Sequence, residues 1–307
     1  ASVSAAGDWT CQVSASDGSA SSGTASATVT VSGGGSNGCP FGNADSTVLL
    51  GNGVHMELNL IANYLSDPLG RYSLTNPFYI MTTEVTQEMF LEVMGYDSRT
   101  GYTVGNGYYG EGTNIPAYLV SWHMAADFAN KVSAAQGLDQ CYVSCSGSNE
   151  NVTGCTENTA FASIYDCNGY RLPTDAEWEL AARSGTTEDF WTGGGTTPAT
   201  AIGGTYDTNT CNANIYIVDG ASEPLMNDLF WWCGNKSNWW DSDYGHKPVG
   251  EKCKPNGFGL HDMHGNAWEW VSDAYTANFP VSSSDPSLQG NGSGRVLRGG
   301  GWTTTGG

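Results

Sequence analysis

Basic residues are scarce. Eleven Lys and Arg stand against 31 Asp and Glu in 307 residues, a formal charge of −20. No basic stripe or cluster offsets that excess, so the surface repels phosphate backbones and argues against nucleic acid as a partner. Charge of either sign is thin, at 14% of residues, and solubility rests on Ser, Thr, Asn and Gly instead. No run approaches the ~20 apolar residues of a membrane-spanning helix. A signal peptide is missing and the chain starts at Ala1 without Met, which fits the mature or truncated product of a longer secreted precursor. Also missing are internal repeats and the strand–helix alternation of a parallel sheet. No Ser/His/Asp grouping, phosphate-cradling Gly loop or paired-carboxylate signature stands out.

Aromatic residues are plentiful: 11 Trp, 15 Tyr and 9 Phe, within a 39% hydrophobic fraction, supply much of a packed core. Nine cysteines among Ser/Thr/Gly-rich loops point to an oxidising, extracellular compartment. Three sequons, at Asn151, Asn235 and Asn291, are compatible with secretion. Acidic loops of this kind suit divalent cations, because hard Ca²⁺ prefers carboxylate and carbonyl oxygens.

The first 32 residues read as two alternating strands around Asp17-Gly18, and GGGSNG (33–38) is a flexible linker by composition. The expected organisation is a strand pair over 1–32, a linker over 33–46 and a large mixed domain over 47–307. Three stretches of that domain predict helices. Thr86–Met94 places Met89, Phe90 and Val93 on one face; Ser121–Gln136 is capped by Ser121 and stopped by Gly137. Thr174–Arg183 has Thr174 and Glu177 at capping-box spacing, with Trp178, Leu180, Ala181 and Ala182 available to the core. The remainder, rich in Gly, Asn and aromatics, predicts short strands and loops: an irregular α+β fold. Trp268 and Trp270 are expected in the core. His261 and His264, flanking Asp262 and Met263, suit surface or supporting roles better than a metal pair.

Cys141, Cys145, Cys155 and Cys167 crowd into one polar loop. Zinc would want close cysteine pairs two to four apart, and only Cys141 and Cys145 are so spaced, so two disulfides stapling the loop fit better. Cys39, Cys211, Cys233 and Cys253 complete an even set of eight, leaving Cys11 odd. Pairing cannot be read from spacing.

Two resemblances add to this reading. GDWTCQVSASDG, residues 7–18, resembles the last strand pair of an immunoglobulin-like domain, where a cysteine two residues after an aromatic bonds to an earlier strand. A two-stranded piece does not fold alone, so the chain is expected to begin inside such a domain; a β-hairpin arm on the main domain is the plainer alternative. Five ordered motifs resemble the formylglycine-generating (sulfatase-modifying factor) family, whose fold is a variant of the C-type lectin fold. They are NPFYIMTTEVTQEMF (76–90), IPAYLVSWHMAADFAN (115–130), GYRLPTDAEWELAARSG (169–185), KPVGEKCKPNGFGLHDMHGNAWEWVSD (247–273) and RVLRGGGW (295–302). The missing C-terminal strand of that fold is expected beyond Gly307.

The resemblance implies specific chemistry, and part of it is gone. The family's enzyme oxidises a sulfatase cysteine to formylglycine with copper held by two thiolates, and soft thiolates select Cu(I). The first family cysteine falls two residues after the motif's aromatic, at Thr304 here; the second falls past Gly307, and the motif's serine is Gly301. A threonine hydroxyl is no substitute for a copper thiolate, so copper is not expected. Calcium transfers better: the resemblance implies one Ca²⁺ on Asp262, Glu269 and the Gly265 and Ala267 carbonyls. A second would use Asn214, Ile215, Asp241 and the Asp243 backbone. For these acids the plainer roles are capping and turn hydrogen bonds. The leading expectation is a non-catalytic extracellular module that binds a protein or glycan ligand or assembles at the cell surface. The alternatives are a copper-dependent formylglycine-generating oxidase and a structural subunit of an extracellular filament, built by strand addition.

Overall fold

The computed structural model of the chain describes residues 7–13, 25–31, 44–63, 65–100, 109–188, 190–192, 226–238, 240–277, 283–288 and 294–304. The elements in order are β1 (Gly7–Val13), β2 (Ala25–Val31), β3 (Ser46–Gly51), β4 (Val54–Ile61), β5 (Tyr72–Ser73), β6 (Phe78–Met81), α1 (Gln87–Met94) and α2 (Trp122–Ala135). They continue with β7 (Tyr142–Val143), β8 (Thr156–Glu157), α3 (Asp175–Arg183), α4 (Met226–Leu229), β9 (Glu269–Ala274), β10 (Ser283–Ser284) and β11 (Arg295–Arg298). This is a mixed helix-and-strand fold with small sheets. β3, β4 and β6 form an antiparallel sheet in that order, β9 pairs with β11, and β5 pairs in parallel with β10. β1 and β2 pair antiparallel, Gly7 opposite Val31. The expected turn at Asp17-Gly18 and the linker motif over 33–38 lie outside the described residues.

The three expected helices form where their caps dictate. The Thr86 hydroxyl accepts the Met89 N–H at 3.2 Å, and Gly95 closes α1 with a left-handed φ of 78°. Ser121 caps α2 in the same way. In α3 the box is reciprocal: Glu177 N–H donates to Thr174 Oγ1 at 3.1 Å, and Thr174 N–H to Glu177 Oε2 at 2.8 Å.

α3 is buried on nearly every side, acids included, and buried carboxylates persist only when paired. Arg298 holds Asp175, Arg171 holds Glu177, and Arg71 and Arg183 share Glu179. Asn256 donates to the Ala181 carbonyl at 2.8 Å, satisfying one of the acceptors that the end of the helix leaves open. Trp178, Leu180 and Ala181 pack with Ile61, Leu260 and Val271, which fixes β9 against α3. A second cluster seats α1 and α2 on β4 through Phe90, Phe128, Met124 and Met56. A third, smaller one gathers Phe190, Leu229, Phe230 and Trp232.

Candidate functional site

The turn between the second core and β9 is a knot of left-handed residues: Asp262 (φ 53°), Gly265 (φ 85°) and Asn266 (φ 53°). Gly265 is required there, because a Cβ would lie 2.3 Å from the Trp231 carbonyl oxygen. Asn266 is fully buried and joins three segments. Its Oδ1 accepts the Lys247 N–H at 2.9 Å, and its Nδ2 donates to the Lys247 carbonyl at 3.1 Å. Its own N–H reaches Trp231 O, and its carbonyl accepts the Trp302 N–H, both at 2.8 Å.

This knot delivers acids to one place. Asp262 Oδ2 accepts the Gly250 N–H at 2.5 Å, and Glu269 Oε2 accepts the Trp178 indole N–H at 2.9 Å. Burial pushes Asp262 up to about 6 and Glu269 up to about 7. Glu84, from the segment between β6 and α1, joins them: its Oε1 accepts the Ala267 N–H at 3.3 Å. Burial, then the charges of Asp262 and Glu269, raise Glu84 well above the usual carboxylate range. Its Oε2 is buried without a hydrogen-bond partner. Among the described residues no group of three or more His, Cys, Asp or Glu is placed to hold a metal ion. The turn nonetheless offers hard oxygens and an unsatisfied carboxyl, a donor set that suits a cation such as Ca²⁺.

The other expected ligands are disposed differently. Asn214 and Ile215 lie outside the described residues. Asp241 Oδ2 accepts the Asn238 N–H at 2.9 Å. The buried Lys247 ammonium donates to the Asp243 carbonyl, to Asp243 Oδ2 at 2.8 Å and to Ser237 Oγ at 2.9 Å. The Lys247 and Ser237 hydrogen bonds hold the Asp243 carboxyl below the usual carboxylate range. A fixed ammonium therefore sits on the Asp243 oxygens. His264 packs among Phe230 (5.0 Å), Phe190 (5.3 Å) and Trp178 (6.5 Å), and burial lowers the His261 imidazole.

Thr304 closes a tight turn on its own backbone. Its Oγ1 accepts the Gly301 N–H and its N–H returns to the Gly301 carbonyl, both at 2.8 Å. Beside it, Trp268 corrects a sequence expectation: it is 51% exposed rather than buried. Trp268 precedes β9 and is not held by strand pairing, whereas Trp270 lies within β9 opposite Leu297 and donates its indole N–H to Val120 O at 2.8 Å. A Cβ at Gly301 would stand 3.0 Å from Trp268 Cδ1, so glycine lets the indole lie against the chain just before Thr304. Trp302 packs edge-on to Tyr244 at 4.8 Å and near Tyr109 at 5.8 Å, while His246 stacks on Tyr118 at 4.7 Å. A cleft of about 890 Å³ runs past this group, lined among others by Tyr79, Glu84, Leu119, His246, Trp268 and Leu297.

Two disulfides staple the polar loop as expected, Cys141–Cys167 and Cys145–Cys155. Cys233 and Cys253 are also disulfide-bonded; Cys39 and Cys211 lie outside the described residues. Sequence reasoning missed Glu84 and Lys247. The available signal was a lone carboxylate inside the otherwise uncharged FYIMTTEV segment, and a lysine four residues after Asp243.

The ordered motifs, the Trp178-centred core and the 262–269 turn define a scaffold of the formylglycine-generating type. The family model described as "Sulfatase-modifying factor enzyme 1-like domain" matches residues 19–306, and the chain belongs to that family. Over 238 residues it is 30% identical to "Chaperone protein LppX" of Paenibacillus barcinonensis, covering 74% of this chain and 70% of that protein. It is 39% identical over 119 residues to the formylglycine-generating enzyme of Mycobacterium tuberculosis, covering 38% and 31% respectively. It is 30% identical over 140 residues to "Inactive C-alpha-formylglycine-generating enzyme 2" of Bos taurus, covering 45% and 34%. The chain spans about a third of the length of the formylglycine-generating enzymes it matches. Among solved structures, "Treponema denticola variable protein 1" superposes with a TM-score of 0.56 at 26% identity, covering 85% of this chain and 88% of that one. Among the described residues no helix is long and apolar enough to cross a membrane.

Proposed function

We propose that this chain is a non-catalytic module of a secreted or cell-surface protein, which binds a protein or glycan ligand on a C-type lectin-like scaffold. The observation that carries the reading is at Thr304. Where the family's enzyme needs a thiolate for copper, an oxygen side chain is tied to the Gly301 N–H, with the exposed Trp268 indole beside it. Hard oxygen does not replace a sulfur ligand for Cu(I), whereas a half-exposed tryptophan at the edge of a cleft is a contact residue of the kind that dominates interfaces. Disulfides fit an oxidising compartment, and one relative is itself described as inactive.

Within this reading Asp262, Glu269 and the Gly265 and Ala267 carbonyls hold a structural Ca²⁺. The raised carboxyls and the unpartnered Glu84 oxygen support it. β1 and β2 are the closing strand pair of an immunoglobulin-like domain, which their antiparallel register supports.

Two measurements on the full-length protein test the absence of catalysis. Titration with copper(I) is expected to give no tight two-thiolate complex, and a cysteine-bearing sulfatase-type peptide is expected to remain unconverted under oxygen. Formation of the aldehyde overturns the reading.

A further inference from the structure

His246 lines the cleft with one ring nitrogen that the fold does not use. Its backbone N–H and its Nδ1 both meet the Tyr109 carbonyl oxygen, at 2.9 and 2.8 Å. A carbonyl only accepts, so Nδ1 carries the ring hydrogen and Nε2 of the neutral imidazole keeps a lone pair. Burial keeps the ring neutral by holding it down at about 4. Two glycines permit the approach: a Cβ at Gly245 would run into the Tyr109 carbonyl carbon, and one at Gly110 would lie 2.7 Å from the His246 carbonyl oxygen. Tyr118, stacked at 4.7 Å, and Trp302, edge-on at 5.9 Å, set the plane of the ring. Among the described residues nothing donates to Nε2, which remains accessible.

The walls beside this acceptor are apolar, with Leu119, Val120, Ala267 and Leu297 lining the cleft and the half-exposed Trp268 at its edge. Charged groups of the lining are already engaged, Arg171 with Glu177 and Glu269 with the Trp178 indole. One fixed, neutral acceptor among apolar walls matches an apolar body that carries a single donor. A sugar ring brings several hydroxyls and a guanidinium several N–H groups, and those left unpaired in such a cleft cost binding energy. A phenol has one O–H on a flat apolar ring. Resting on the binding-module reading above, we propose that the cleft seats a tyrosine side chain of a protein ligand. Its O–H donates to His246 Nε2 and its ring lies against the Trp268 indole. A volume of about 890 Å³ has room for the ring and adjoining peptide, and tyrosine is among the residues that anchor interfaces.

p-Cresol, the side chain of tyrosine, and toluene, that of phenylalanine, test the proposal on the full chain, with the imidazole ¹⁵N resonances followed by NMR. p-Cresol is expected to bind roughly 5–10-fold more tightly than toluene, the worth of one hydrogen bond, and to shift the His246 Nε2 signal, which toluene leaves in place. His246→Phe keeps a ring for Tyr118 to stack on but offers no acceptor, and is expected to bring p-cresol down to the affinity of toluene. Trp268→Ala is expected to weaken both probes and to keep the preference for p-cresol. Equal affinities in the wild type, or an Nε2 signal that p-cresol does not move, overturn the proposal. So does an Nε2 shift produced by methyl glucoside or N-acetylargininamide in place of p-cresol, which assigns the cleft to a glycan or to a basic side chain. If His246→Phe does not fold, the wild-type Nε2 shift decides. Aldehyde formation from a sulfatase-type peptide overturns the non-catalytic reading alone and does not enter these titrations, so the two failures are told apart.

Discussion

Replacing Asn266 with alanine keeps its backbone bonds to Trp231 and Trp302 but removes its side-chain joint to the Lys247 segment. Two buried side-chain bonds to the Lys247 backbone, at 2.9 and 3.1 Å, disappear, and the Lys247 N–H and carbonyl are left dry and unpaired. Each such orphan costs roughly 1–3 kcal/mol. The residue also sits at φ 53°, a left-handed position that asparagine tolerates and alanine does not, at a further cost of roughly 1–2 kcal/mol. The combined loss is about 3–8 kcal/mol, a large share of a typical domain stability of ~5–15 kcal/mol. Asn266→Gly separates the causes: it loses the same bonds but accepts the backbone angle, and is expected to be less damaged than Asn266→Ala. Urea unfolding followed by tryptophan fluorescence, disulfides intact, reads both. A loss below about 1 kcal/mol in Asn266→Ala, or a glycine variant less stable than the alanine one, refutes the role assigned to the side chain.

Three further outcomes are expected. Trp268→Ala is expected to move stability by no more than about 0.5–1 kcal/mol while weakening ligand binding; Trp270→Ala, which breaks the bond to Val120 O, is expected to cost about 3 kcal/mol, read by thermal unfolding. Burial holds the His246 imidazole down at about 4. The stabilising contribution of the neutral ring is therefore complete above its ordinary 6.5 and lost as pH falls through about 4. An NMR titration midpoint near 6.5 contradicts that placement. Removing Cys141–Cys167, which closes a 26-residue separation, is expected to cost about 3.5 kcal/mol, against about 2.7 kcal/mol for the 10-residue separation of Cys145–Cys155. Calorimetry of the paired Cys→Ala variants checks the order.

The helices were legible because their determinants are local. Thr174 and Glu177 meet three residues apart, so the sequence itself contains the cap. The loop disulfides were legible as a class, since four cysteines crowd one polar stretch, but their pairing was not. The environment of Trp268 was misjudged for a related reason. GNAWEW reads as one apolar segment, yet only Trp270 falls within a paired strand, and the exposure of its neighbour depends on Gly301, a residue 33 positions away. The place of Glu84 is set by Ala267, 183 residues on, which no local pattern displays.

From its order of residues alone, this chain settled its family, the extent of its three capped helices, and its acidic, cysteine-rich character. Those follow from side-chain identity and from spacings of a few residues. Tertiary structure decided which carboxyls lose their solvent together, which lysine sits on the Asp243 oxygens and which tryptophan faces outward. Such properties arise from approaches between distant segments, and desolvation and unpaired charge exist only after those segments have met.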